Sequence, residues 1–119
     1  MSSPELQQLT QRVRQLIQCE VSGDTDGWFA VVDPKLRESA SAQEADLASF
    51  MIRVSSAEVV NVEAVLSPGK SRQGRPVAGV RYSVLYNGAS EPTHFSGPWV
   101  LDDGEWYTRA VGKMDWGST

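Results

Sequence analysis

A chain of 119 residues, 40% hydrophobic and 22% charged, is one ordinary globular domain, long enough to bury a core and too short for two. Its net charge of −4 is unevenly spread: residues 1–66 hold five Lys/Arg and ten Asp/Glu, residues 67–119 six and five. This balance excludes the basic face of a nucleic-acid binder, and no apolar run approaches the roughly 18 residues of a membrane span, so neither nucleic acid nor membrane is an expected partner.

Cys19 is the only cysteine, so no intrachain disulfide can form. Inside a helix it is expected to be a small buried apolar residue. No basic region followed by an apolar core opens the chain, so no signal peptide is legible. The cytoplasm is the default compartment, although an exported or anchored domain trimmed of its leader would read the same.

Ser3-Pro4-Glu5 opens the first helix with a cap, a proline at the first helical position and an acid in the first turn. Leu6, Leu9, Val13, Leu16, Ile17 and Val21 recur at helical spacing while glutamines and arginines fill the other face. Gly23 can take the left-handed conformation that stops the helix. Asp24 or Thr25 then caps a short second helix carrying Trp28, Phe29, Val31 and Val32, which Asp33-Pro34 ends. Ser41-Ala42-Gln43-Glu44 has the form of a capping box for a third helix reaching Val54, with Leu47, Phe50, Met51 and Val54 on its buried side.

After Ser55-Ser56 the hydrophobic period changes to two. Ala57 to Leu66 reads as a strand with Val60, Val62, Ala64 and Leu66 on one face and Asn61 and Glu63 on the other. Ser67 through Gly74 reads as a loop carrying Lys70 and Arg72, with Arg75 following, all three solvated. Val77 to Tyr86 is the next strand, with Ala78, Val80, Tyr82, Val84 and Tyr86 on one face. Asn87-Gly88 begins a turn that runs to Pro92. Thr93 to Leu101 and Glu105 to Val111 form a hairpin, because Asp-Gly between apolar, aromatic runs is a strong hairpin signal. Two registers are open. A loop of Asp103-Gly104 alone pairs Leu101 with Trp106 and Trp99 with Thr108; a three-residue loop with a bulge pairs Trp99 with Tyr107. Met114 to Thr119 is a tail for Trp116 to pin.

Helices first and a meander of about four antiparallel strands afterwards predict an α+β domain, its three N-terminal helices packed on one face of a curved sheet. Val60, Val62, Val80, Tyr82, Val84, Phe95 and Trp99 are expected to face the helices. Asn61, Glu63, Arg81, Ser83, His94 and Ser96 are expected to face away.

This order resembles the nuclear transport factor 2-like superfamily, the cone-shaped fold shared with ketosteroid isomerase, scytalone dehydratase and polyketide-cyclase-like proteins. Three features carry the resemblance: a long first helix ending in Val21-Ser22-Gly23-Asp24 before Trp28-Phe29, a capped helix at 41–54, and a meander closing in Asp102-Asp103-Gly104-Glu105-Trp106-Tyr107. It spans nearly the whole chain and implies a conical pocket, lined here by Trp28, Phe29, Phe50, Tyr82, Phe95 and Trp99, for a small apolar ligand. Members often dimerise through the outer face of the sheet, which here bears Asn61, Arg81, Ser83 and His94.

The family's enzymes need a carboxylate base with hydrogen-bond donors, or a histidine with an acid or tyrosines, inside that pocket. No strand places an acid on the apolar face. His94, the only histidine, is the obvious group to titrate near neutrality, yet its register makes it a surface or interface residue. Tyr82 and Tyr86 point inward, either as core residues with a satisfied hydroxyl or as phenol donors to a ligand. Glu20 is expected to reach solvent at the helix edge; turned inward, it would have a raised pKa and serve as a base. Asp24 and Asp33 are expected to be helix caps. One histidine and one cysteine make no metal cluster, no phosphate-binding glycine loop follows a strand, and no cofactor is expected. Two functions follow. One is a non-catalytic domain binding a small hydrophobic ligand or a protein partner. The other is an isomerase, dehydratase or cyclase acting on a polyketide-, steroid- or terpene-like substrate, with Glu20, Tyr82 or His94 as its polar groups.

Overall fold

A computed structural model describes residues 4–72 and 75–109. Helix α1 spans Pro4–Ser22 and α2 Thr25–Ala30. A 3-10 turn at Pro34–Leu36, a single helical turn α3 at Arg37–Ala40 and a second 3-10 turn at Ser41–Gln43 lead into α4, Glu44–Ile52. Four antiparallel strands follow in sheet order: β1 Ala57–Arg72, β2 Arg75–Tyr86, β3 Thr93–Asp102 and β4 Glu105–Thr108. The chain is therefore α+β, with N-terminal helices packed on an antiparallel sheet.

The helix boundaries follow local chemistry. Gly23, at φ +72°, turns the chain out of α1. The Asp24 carboxylate then accepts a 2.9 Å bond from the Gly27 amide and caps α2. Gly27 fits closely under this cap: a Cβ there would meet the Asp24 carboxylate at 2.4 Å and the Cys19 sulfur at 3.0 Å and would have to displace the capping side chain. The helix expected to be capped at Ser41 starts three residues later, with Gln43 and not Ser41 at its N-cap. Residues 41–43 are spent in the 3-10 turn, and Gln43, at the N-cap of α4, makes no side-chain capping bond.

Two strand expectations are corrected. Val59 pairs with Val84 and Asn61 with Ser83, so Val60 is an extra residue in β1. This bulge turns Val59 toward the core and leaves Val60 exposed. The segment expected as a loop after Leu66 continues as a ladder, with Ser67 opposite Val77 and Arg72 opposite Arg75. The proline-glycine pair there shifts the register between Ser67 and Ser71 without ending the strand. The closing hairpin takes the two-residue loop, with Asp103 at φ 52° and Gly104 at φ 79°. Leu101 therefore pairs with Trp106 and Trp99 with Thr108. The expected tail at 114–119, with Trp116, lies outside the described residues.

Leu9, Val13, Leu16 and Ile17 of α1, Trp28 of α2, Leu47 and Met51 of α4, and Ala78, Val80, Tyr82, Val84, Trp99 and Trp106 of the sheet form the core. The segment after α2 closes it by joining the sheet edge. Val32 makes a parallel bridge to Thr108, the Thr108 amide donates to the Val31 carbonyl, and the Asp33 amide donates to the Thr108 carbonyl.

Candidate functional site

The last turns of α1, the start of α2 and the end of β2 bring one carboxylate and a set of aromatic rings together. Glu20 continues the apolar stripe of α1, three residues after Ile17 and four after Leu16, so its side chain turns inward. It is 2% exposed. The Tyr86 hydroxyl donates to one carboxylate oxygen at 2.6 Å, and the Trp28 indole N–H donates to the other at 3.1 Å. Both donors are neutral, and no described cationic side chain pairs with Glu20. Burial pushes its pKa up to about 7, against the two hydrogen bonds, which pull it down.

The two donors belong to chains of aromatic contacts. Phe50 of α4 meets Tyr86 edge-on at 5.5 Å, Tyr86 meets Phe95 at 6.4 Å, and Phe95 stacks on Tyr82 at 5.1 Å. Phe29 sits edge-on to Trp28 at 5.4 Å. Burial and the nearby charge of Glu20 push the Tyr82 hydroxyl well above its ordinary range. The same causes, with the hydrogen bond to Glu20, do so for Tyr86. Chemically, the arrangement is a carboxyl able to hold or release a proton near neutral pH, with phenol and indole donors fixed against it.

Each anticipated site residue has a definite place. Glu20, expected at the solvent edge, is inside; Tyr82 is inside beside it. Of the anticipated pocket lining, Trp28 and Trp99 are fully buried in the core, while Phe29, Phe50 and Phe95 are half-buried against it. His94 is exposed on the opposite face of the sheet, where its Nδ1 shares a 2.7 Å hydrogen bond with Ser83 Oγ. It borders an open hollow with Asn61, Glu63, Arg81 and Ser96. The sequence marks Tyr86 as a core residue or a phenol donor and Trp28 as a lining aromatic; the one signal of their convergence on Glu20 is position 20 falling on the α1 stripe.

A second polar centre holds the far end of the sheet. Asp33, fully buried, accepts bonds from Arg75 at 2.8 and 3.0 Å and from Arg109 at 2.7 Å. Arg75, expected as a solvated residue beside a loop, is itself buried and also reaches Asp102 at 3.4 Å. Burial pushes Asp33 up, but the Arg75 bonds, the Lys35 amide and the charges of both arginines outweigh it and hold its pKa below the usual carboxylate range. With every charge matched, this centre is a clasp and not a reactive site. Among the described residues no group of three His, Cys, Asp or Glu side chains is placed to hold a metal ion, and no helix is long and apolar enough to cross a membrane.

No protein-family model matches the chain, and no curated protein matches it in sequence.

Proposed function

We propose that the chain is a small-molecule-binding domain of the nuclear transport factor 2-like kind, taking a compact, largely apolar ligand among Phe50, Tyr82, Tyr86 and Phe95 with Glu20 as its polar anchor. The observation that carries this reading is a buried carboxyl held by two neutral aromatic donors, Tyr86 and Trp28, which themselves pack on Phe50, Phe95 and Phe29. Such a group supplies one hydrogen-bonding point in an otherwise apolar surrounding, which is how small-ligand sites fix orientation. The order of helices and strands supports the family assignment. Titration of the full chain with hydroxylated naphthalenes and a steroid ketone, followed by tryptophan fluorescence and thermal shift, tests it. Saturable quenching that Tyr86→Phe weakens is expected. No saturable change up to the solubility of every probe would remove the small-molecule reading and leave a protein partner as the ligand.

One observation favours catalysis as a second reading. A carboxyl with a pKa near 7 is matched to proton transfer at neutral pH, as an isomerase, dehydratase or cyclase of a polyketide-, steroid- or terpene-like substrate requires. In that case Glu20 moves the proton and Tyr82 or Tyr86 donates to the developing oxyanion. Glu20→Gln would then retain binding and abolish turnover, whereas binding of these substrates by the wild type without turnover argues for a binding role alone.

A further inference from the structure

The strand β1 lies at the edge of the sheet, and among the described residues only β2 pairs with it. Among the described residues its other side is a row of open backbone donors and acceptors, a ready template for one more strand. Natural edges are commonly shortened, charged or covered. This one runs for 16 residues and carries Val60, Val65 and Leu66, three of the four large hydrophobic side chains exposed among the described residues.

Directly inside that edge is an open groove of about 420 Å³ between β1 and the first half of α1. Val62 and Ala64 form its β1 wall; Leu6, Gln7, Thr10 and Gln11 form its α1 wall. The helix stands off from the strand here, leaving the inner face of β1 half-covered. On the outer face of the same strand the bulge at Val60 sets Glu58, Asn61, Glu63 and Val65 in one row. Glu63 meets Arg81 at 3.7 Å, with both side chains largely exposed, so its carboxylate remains open to a further cation.

We propose that the β1 edge receives an extended segment of a partner protein as a fifth strand. The open backbone edge selects an extended chain, because only a strand matches its alternating donors and acceptors. The apolar part of the groove, Leu6, Val62 and Ala64, favours apolar side chains at the inward positions, spaced by about 6.6 Å, the two-residue repeat of a strand. The acids Glu58 and Glu63 select lysine or arginine at the outward positions, where cross-strand pairs of opposite charge are favourable. The occupant is thus a peptide segment that alternates apolar and basic residues. This surface is on the far side of β1 from β2 and is independent of the Glu20 centre.

The test uses the full chain, labelled with 15N, and a nine-residue synthetic peptide alternating lysine and valine. Saturable shifts and slowed hydrogen exchange are expected at the amides of residues 61–66, with smaller shifts at Leu6 to Gln11. The same peptide N-methylated at every second residue, made in both registers, separates strand pairing from loose adhesion: one register must lose binding. Thr10→Arg, which fills the groove from a half-exposed position, is expected to weaken the peptide. Glu63→Lys should weaken it about fivefold and favour a glutamate-valine peptide instead. The proposal is overturned if the β1 amides do not respond, or if both N-methylated peptides bind as well as the parent. It is also overturned if residues 61–66 become protected with rising protein concentration alone, which would assign the edge to a second copy of this chain.

Discussion

Glu20 at the end of α1 and Tyr86 at the end of β2 are 66 residues apart and share a 2.6 Å hydrogen bond in the interior. With the Trp28 indole on the second oxygen, the carboxyl is satisfied but uncompensated in charge. Its pKa, raised from 4.5 to about 7, means that folding favours the protonated form. The folded state binds the extra proton between these two values, so the contribution of Glu20 to stability is fully present below about pH 4.5 and is lost as pH rises toward 7. The loss from this one group is about 3 kcal/mol, and no further loss comes from it above that window. Denaturant unfolding between pH 4.5 and 8 should show the decline, and Glu20→Gln should flatten it. A wild-type profile flat across the window would refute the assignment.

Tyr86 and Tyr82 should separate cleanly. Tyr86→Phe removes the shorter bond to Glu20, costs about 1–3 kcal/mol at pH 7 and moves the carboxyl pKa higher still. Tyr82 has no hydrogen bond to Glu20, so Tyr82→Phe should cost little and, if anything, alter the titration only through desolvation. The side-chain 13C shift of Glu20 followed by NMR reports both effects, and equal titration shifts in the two variants would contradict the geometry.

Asp33 offers the contrasting case of a matched buried charge. Asp33→Ala leaves Arg75 buried without its bidentate partner and should destabilise the chain by about 3–5 kcal/mol. Because the Asp33 pKa is depressed, its contribution is present above the ordinary aspartate value and is lost as pH falls through the lower folded value. The acid limb of the stability profile should therefore shift in this variant, while the neutral limb, set by Glu20, should not.

Two tryptophans with similar burial should respond differently to the same substitution. Trp28 donates to Glu20, whereas the Trp106 indole nitrogen is buried with no hydrogen-bond partner among the described residues. Trp106→Phe gives up apolar area but relieves an unpaired donor; Trp28→Phe gives up similar area and strips a carboxyl of one partner. Thermal unfolding at pH 7 should place Trp28→Phe lower by about 1–2 kcal/mol.

Much of the architecture was legible in the residues. The period changes from helical to alternating near Ser55, and Asp103-Gly104 and Asn87-Gly88 mark turns that the structure builds with positive φ at all four positions. His94 was placed on the outer face by alternation alone. What was not legible depends on partners distant in sequence. A charged residue near a helix end reads as solvated until Trp28 and Tyr86 are known to meet it. Arg75 reads as solvated until Asp33, 42 residues earlier, is brought against it. The bulge at Val60 breaks a perfect alternation because Val59 and Val60 are chemically identical, and only the pairing of β1 with β2 chooses between them.

The bridge between Val32 and Thr108 joins the helical half to the final strand across 76 residues. Its consequence is kinetic. The helices can form early from local contacts, but β4, the strand that Val31, Val32 and Asp33 bond to, arrives only after the other three strands. Until then the backbone of Val31 and Asp33 and the apolar surface that β4 covers are open to water and to other chains. Contacts of such long separation slow folding, so a nascent chain stalled before residue 108 would be the species most prone to aggregate.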